Sequence, residues 1–185
     1  MERRPENSAA IRAASSTARK TCAIYYVPGA LAGPLAAWPA HLERARRLGF
    51  REVCTAPLGR PGGRGDLFLT ADFDAPDPRL GTYDTPGTAI EAAAAAAKKA
   101  GLDLFLDVVL DRIALDATDR TGYERPHGAG ALDPRRPGTD IDAAFAQFDR
   151  SDLLDRWSAR LDAWRKRGVA GFRLSAQRSY AVAEI

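Results

Sequence analysis

A dense apolar stretch near the middle of the chain, Gly101–Arg112 (GLDLFLDVVLDR), carries the strongest structural signal in the sequence. Its apolar positions follow one another too closely for a strand with one solvated face, so the pattern predicts a strand covered on both faces. Asp107 lies inside this run, and Asp111 and Arg112 close it. A buried carboxylate must be paired or hydrogen-bonded. Charged residues at the carboxyl end of a parallel strand are typical of a ligand site.

Short β-rich or apolar runs predict three further strands. They cover Thr21–Val27, Phe50–Ala56 and Val169–Leu174. The dipeptide Pro28-Gly29 ends the first run and Pro57 ends the second, as expected of residues that interrupt strands.

Helices are predicted between these strands. Pro34–Gly49 places apolar residues at helical spacing and ends on a glycine, and Ser151–Gly168 has a capping serine and a terminal glycine. The alanine content of Pro86–Ala100 favours a helix by intrinsic propensity. Ala176–Ile185 is a candidate for the start of one more helix.

Strands and helices therefore alternate, which predicts an α/β fold with a parallel sheet and right-handed crossovers. Two long connections rich in Gly, Pro and Asp, Leu58–Asp84 and Ile113–Phe148, follow strands rather than helices. A short helix over Asp142–Phe148 is expected inside the second. Long loops after strands gather at the edge where α/β proteins bind ligands. The glycine run Gly62–Gly65 matches neither the dinucleotide-binding nor the P-loop spacing.

Composition narrows the class of protein. The 185 residues carry a net charge of +3, with 45% hydrophobic and 28% charged residues, which is ordinary for a globular chain. Much of the positive excess lies in residues 1–20, which we predict to be a disordered tail preceding one folded unit at 21–185. The remainder is nearly balanced, so no nucleic-acid partner is expected. No apolar run is long enough to cross a membrane.

The two cysteines and the acidic residues predict neither a disulfide nor a metal site. Cys22 and Cys54 lie far apart and match no zinc spacing, which favours reduced thiols and a cytoplasmic location. The aspartates do not fall in an EF-hand spacing, so we predict no metal. No cofactor is predicted either.

Several stretches occur in an order shared with one enzyme superfamily. Asp107–Arg112 stands where that superfamily has D-V-V-x-N-H, and Gly171–Ala176 where it has G-F-R-x-D-A. Ala32–Phe50 is similar to the segment around its first barrel helix, and Asp66–Thr82 to its loop after the second strand. The chain thus resembles the first half of the catalytic barrel of the α-amylase superfamily of glycoside hydrolases and transglycosylases. Its nearest likeness is to the maltose-1-phosphate maltosyltransferases.

The resemblance implies a fold and a set of roles. Parallel βα units would form about half of a TIM (β/α)8 barrel, with four strands. The implied partners are α-1,4-glucans or maltosyl phosphate. The likeness assigns sugar contacts to Asp72, Phe73, Asp111 and Arg112, and a structural role to Asp107.

The sequence departs from the superfamily where the chemistry takes place. Ser175 occupies the position of the nucleophilic aspartate, while Arg173, which orients that nucleophile in the superfamily, is kept. A retaining mechanism needs an attacking carboxylate close to a protonated acid, and a serine hydroxyl is a poor substitute without an activating base. Neither His41 nor His127 is suitably placed. The general-acid glutamate that follows the fifth strand has no counterpart in these residues.

Three hypotheses remain open from the sequence. The chain is a catalytically impaired α-amylase-type domain, or a non-catalytic module that binds α-glucan such as glycogen. Alternatively it is a half-barrel that assembles with itself or with another half, because a four-stranded half-barrel leaves two open edges.

Overall fold

The computed structural model describes residues 23–125, 142–147 and 151–174. The predicted tail at 1–20, Ser175 and the candidate helix Ala176–Ile185 all lie outside the described residues. The described elements, in chain order, are β1 (Ile24–Val27), α1 (Trp38–Arg47), β2 (Glu52–Thr55), β3 (Gly59–Pro61), β4 (Thr70–Pro76), α2 (Pro86–Lys99), β5 (Asp103–Val108), β6 (Arg112–Ala114), β7 (Tyr123–Glu124), β8 (Ala143–Ala146), α3 (Ser151–Lys166) and β9 (Gly171–Leu174).

The predicted parallel sheet is confirmed. Its strands lie in the order β1-β2-β5-β9, and each neighbouring pair is parallel. One helix connects each strand to the next, so the structure has the repeating βα architecture of about half a TIM barrel.

A continuous apolar core joins the sheet to α1 and α2. Alternate residues of the strands point toward the helices and pack against helical side chains. The main members of this core are Val27, Val53, Leu104 and Leu106 from the sheet and Trp38, Leu42 and Ile90 from the helices. The opposite set of strand residues, which includes Tyr26, Cys54 and Asp107, faces the other side of the sheet.

Local sequence signals account for the bounds of α2. The Thr85 side chain accepts from the backbone amide of Thr88, the Thr88 side chain accepts from that of Thr85, and Pro86 occupies the first turn. Gly101 follows the helix with φ +74°, and a side-chain carbon at this position would meet no heavy atom within 4 Å. Its left-handed backbone, rather than lack of space, therefore favours glycine.

The two long connections contain more regular structure than expected. The connection Leu58–Asp84 holds the antiparallel hairpin of β3 and β4. The expected helix over Asp142–Phe148 is wrong, because Ala143–Ala146 forms β8 between β6 and β7. Hydrogen bonds to two neighbouring strands and burial of Phe145 outweigh the helical propensity of the alanines.

A second apolar cluster packs α3 onto this three-stranded sheet. It joins Leu153 and Trp157 of α3 to Ile113, Tyr123 and Ala144. The Trp157 indole also donates to the Tyr123 hydroxyl at 2.7 Å, so a buried polar pair fixes the contact. Within the described residues, no helix combines the length and apolar character that a membrane span requires.

Leu106→Ala tests whether the helix-facing side chains of β5 contribute to the stability of the fold. The Leu106 side chain is 2% exposed, so its truncation is expected to lower the free energy of unfolding by about 2–5 kcal/mol. Leu31→Ala is the matched control, because Leu31 is 69% exposed and its loss is expected to change stability by about 0.5 kcal/mol or less. Urea unfolding measures both, and equal effects would contradict the assigned core.

Candidate functional site

Asp107 is the centre of a polar cluster on the sheet face that the helices do not cover. The Tyr26 hydroxyl of β1 donates to Asp107 Oδ2 at 2.9 Å. Arg173 of β9 donates from Nε and Nη2 to the two carboxylate oxygens. Because Asp107 and Arg173 are register partners on adjacent parallel strands, their side chains leave the sheet on the same face. The carboxylate in the apolar run is therefore both ion-paired and hydrogen-bonded.

The cluster also sets the protonation of its members. The hydrogen bond to Asp107 raises the pKa of Arg173, so the guanidinium stays charged. Burial, followed by the hydrogen bond to Asp107, raises the pKa of Tyr26, which keeps the phenol neutral. Burial raises the pKa of Cys54 to about 12. Cys54 is a free, buried cysteine, and as a protonated thiol it is a poor nucleophile.

Asp111 and Arg112, predicted to contact sugar, follow β5 directly. Arg112 Nε lies 3.7 Å from Asp111 Oδ1, and both side chains are buried. Arg112 also begins β6 and pairs in register with Phe145 of β8. The structure therefore places these two residues where the parallel sheet meets the antiparallel one, and sugar contact by them stays a prediction.

Asp72 and Phe73, the other predicted sugar contacts, lie on β4. Asp72 accepts from the backbone amide of Asp74 at 2.8 Å and from Arg60 at 3.1 Å. Although burial opposes it, these hydrogen bonds lower the pKa of the Asp72 carboxyl. An ionised, bonded Asp72 stabilises the hairpin through Arg60, its partner on β3.

The Phe73 ring packs against α3. It lies edge-on to Trp157 with centroids 5.2 Å apart, and the Arg160 guanidinium sits 4.3 Å from its centroid. This geometry gives Phe73 a packing role between β4 and α3. Sugar contact by Phe73 stays a prediction beside it.

A cavity of about 280 Å³ opens between the β3–β4 hairpin and the β6–β8 sheet. Its polar lining consists of Arg64, Asp66, Asp116 and Asp142. Arg64 Nε lies 2.9 Å from Asp142 Oδ2, and Asp116 Oδ2 accepts from the Gly63 amide at 2.8 Å. Carboxylates accept hydrogen bonds and a guanidinium donates them, so the lining offers both kinds of group to a polar ligand.

Sequence reasoning did not select these cavity residues, because they come from three separate segments of the chain. The available signal was the glycine run Gly62–Gly65. A side-chain carbon on Gly62 would lie 2.7 Å from both Asp116 Oδ1 and the Ala114 side chain, so glycine is required for the close approach of the two loops.

Of the remaining predicted residues, Arg173 and Asp107 lie within the described part of the chain and Ser175 does not. Arg173 and Asp107 are brought together as described. Ser175 lies outside the described residues, and its place at the nucleophile position stays a prediction. Among the described residues, no group of three or more His, Cys, Asp or Glu side chains is arranged to hold a metal.

The fold matches that of α-amylase-type enzymes over part of their length. An alpha-amylase from Lactobacillus plantarum superposes with a TM-score of 0.68 and 21% identity, covering 87% of this chain and 39% of that one. A noncanonic maltogenic alpha-amylase from Thermotoga neapolitana gives a TM-score of 0.67 and 18% identity, over 87% and 40%. At these identities the likeness concerns the fold.

One curated relative carries the likeness in sequence. The alpha-1,4-glucan:maltose-1-phosphate maltosyltransferase of Burkholderia pseudomallei is 32% identical over 162 residues, which is 83% of this chain and 14% of the relative. No protein-family model matches the chain. The resemblance to the α-amylase superfamily and to its maltosyltransferases is thus confirmed, and it covers a minor part of each relative.

Alkaline pH is expected to destabilise the fold through Cys54. The ordinary thiol pKa of 9.0 rises to about 12 in the folded protein. The unfolded chain therefore loses this proton first, and stability present below pH 9 falls as pH rises toward 12. The slope approaches about 1.4 kcal/mol per pH unit.

Urea unfolding at pH 8 and pH 10 measures this effect. The wild-type chain should lose about 1 kcal/mol more than Cys54→Ala over that interval. Cys22 remains in both chains, so its titration cancels in the comparison. An equal loss in both chains would contradict the assignment.

Proposed function

We propose that this chain is an α-glucan-recognising domain of the α-amylase type in which glycosyl transfer is impaired. The observation that carries the proposal is the Asp107–Arg173 pair. It lies near the carboxyl ends of β5 and β9, in a fold that α-amylase-type enzymes share. The pair keeps a permanently charged guanidinium at the edge where βα proteins bind ligands.

The substrate class follows from chemistry and from the relative. The name of the Burkholderia relative specifies an α-1,4-glucan and maltose 1-phosphate. Arg64 and Arg173 supply donors for hydroxyls or a phosphate, and Asp66 and Asp116 supply acceptors. The cavity beside the hairpin has room for about one sugar ring. We therefore infer binding of maltooligosaccharides or maltosyl phosphate.

The impairment rests on the residue two positions after Arg173. Transfer with retention passes through a covalent glycosyl–carboxylate intermediate, which needs an aspartate or glutamate about 5 Å from the acid. Ser175 stands at this position in the sequence. The described cluster holds one carboxylate, Asp107, and Arg173 and Tyr26 already bond its oxygens.

Calorimetry with maltotetraose and with maltose 1-phosphate tests the binding. We expect dissociation constants on the order of millimolar. Arg173→Gln and Arg64→Gln should each weaken binding about tenfold, through loss of a charged hydrogen bond. Arg46→Gln is the matched control, because Arg46 pairs with Glu43 on the exposed side of α1. Absence of heat at millimolar ligand would remove the proposal.

The same samples test the impairment. No product above background is expected after long incubation with either ligand. Turnover that Arg173→Gln abolishes would contradict an impaired site.

A second function, assembly through the sheet edges, is favoured by one observation. Ile24 of β1 and Leu174 of β9 are 38% and 56% exposed, and their strands form the two edges of the parallel sheet within the described residues. A second copy that adds β9 to β1 of its partner would continue the parallel sheet and cover both side chains.

Sedimentation velocity across a concentration series tests assembly. A dimer is expected in the wild-type chain, and Ile24→Lys or Leu174→Lys should convert it to monomer because a charge at a pairing edge opposes association. Leu31→Lys is the control, because Leu31 is exposed but lies in the turn Gly29–Ala32 and not in a strand. A monodisperse monomer at every concentration would exclude assembly.

A further inference from the structure

We propose that Tyr26 is a positioning residue for Arg173, acting through its hydroxyl and its ring. This inference rests on the proposed function, since it concerns how Arg173 is presented to a ligand. Tyr26 belongs to the first strand of the parallel sheet and Arg173 to the last. Neither the sequence resemblance nor the strand-end motifs assign Tyr26 a role.

The first contact acts through the shared carboxylate. Tyr26 donates to Oδ2 of Asp107 at 2.9 Å, and Arg173 Nη2 donates to the same oxygen. The phenol therefore fixes the rotation of the carboxylate plane, and that plane sets the direction of a bidentate guanidinium.

The second contact is direct. The guanidinium carbon of Arg173 lies 4.8 Å from the centroid of the Tyr26 ring, within the range of a cation–π interaction. One side of the planar guanidinium is thereby covered, while the Arg173 side chain as a whole remains 49% exposed. An arginine side chain has many rotamers in solution, and the Asp107 carboxylate and the Tyr26 ring together restrict those of Arg173.

Strand β2 lies between Tyr26 on β1 and Asp107 on β5, and it leaves room for the Tyr26 hydroxyl to reach the carboxylate. Cys54 of β2 is the register neighbour of both Tyr26 and Phe105, so it lies between β1 and β5 on the same face. Its side chain is small, which lets the Tyr26 hydroxyl reach Asp107 across β2. A longer side chain at position 54 would stand in this path.

Side-chain NMR of the full chain without ligand tests the positioning directly. The Nε–H exchange rate of Arg173 reports how firmly the guanidinium is held. Tyr26→Phe keeps the ring and removes the donor, and it should speed this exchange about tenfold. Tyr26→Leu removes both contacts and should speed it further. Cys54→Leu should match Tyr26→Phe, whereas Cys54→Ala should leave the rate unchanged.

Tyr25→Phe is the matched control, because Tyr25 packs on Phe50 at 5.4 Å on the helix-covered side. It removes a hydroxyl from the neighbouring residue and should leave the Arg173 exchange rate at the wild-type value. Thermal unfolding confirms that each variant is folded, and Tyr26→Phe is nearly isosteric. An unchanged exchange rate in both Tyr26 variants would overturn the proposal.

Maltotetraose binding separates this inference from the proposed function. Weaker binding by Tyr26→Phe, by about threefold to tenfold, supports the positioning role. If Tyr26→Phe speeds the Arg173 Nε–H exchange but binds maltotetraose as tightly as the wild-type chain, the positioning role of Tyr26 in ligand binding is overturned. If the wild-type chain binds no oligosaccharide, the glucan-binding proposal fails, and the exchange rates alone decide for or against Tyr26.

Discussion

A carboxylate in the middle of a buried parallel strand is the constraint on which this structure depends. Asp107 is 1% exposed, and a buried ion without partners destabilises a fold by several kcal/mol. Its partners come from β1 and β9, at opposite edges of the sheet. The ionised Asp107 therefore favours only arrangements in which all four strands are in place and in register, and the sheet and the polar cluster stabilise each other.

Two segments that leave the parallel sheet after β2 and after β5, and later return to it, form the surface beyond the carboxyl ends of its strands. The β3–β4 hairpin and the β6–β8–β7 sheet are linked where the Thr118 amide donates to the Ala71 carbonyl at 3.1 Å. The polar cavity lies where the two segments approach each other, and Gly62 permits that approach. The hydrogen bond from Trp157 to Tyr123 connects the β6–β8–β7 sheet to α3. These contacts place the donors and acceptors of the cavity lining at defined positions relative to one another.

The sequence located the elements well where local signals were strong. The helix predicted at Pro86–Ala100 from its alanine content is observed at Pro86–Lys99, and the capping box at Thr85 and the left-handed Gly101 set its two ends. The strand predicted within Gly101–Arg112 is observed at Asp103–Val108. The alternation of strands and helices was enough to predict parallel order, because a helical crossover between two strands of one sheet returns the chain to the end at which the first strand began. The resemblance then narrowed the parallel sheet to half a barrel.

Prediction failed where partners distant in the chain decided the outcome. Ala143–Ala146 has no strand signal of its own and becomes a strand because β6 and β7 flank it. The cavity residues Arg64, Asp116 and Asp142 carry no motif. Tyr26 has the pattern of an ordinary strand residue. By itself, then, the sequence determined the βα order and the need for a partner at Asp107, because periodicity, capping and the cost of a buried charge are local properties. Only the tertiary structure decided that Arg173 and Tyr26 are those partners, because hydrogen bonds across a sheet depend on register and strand order.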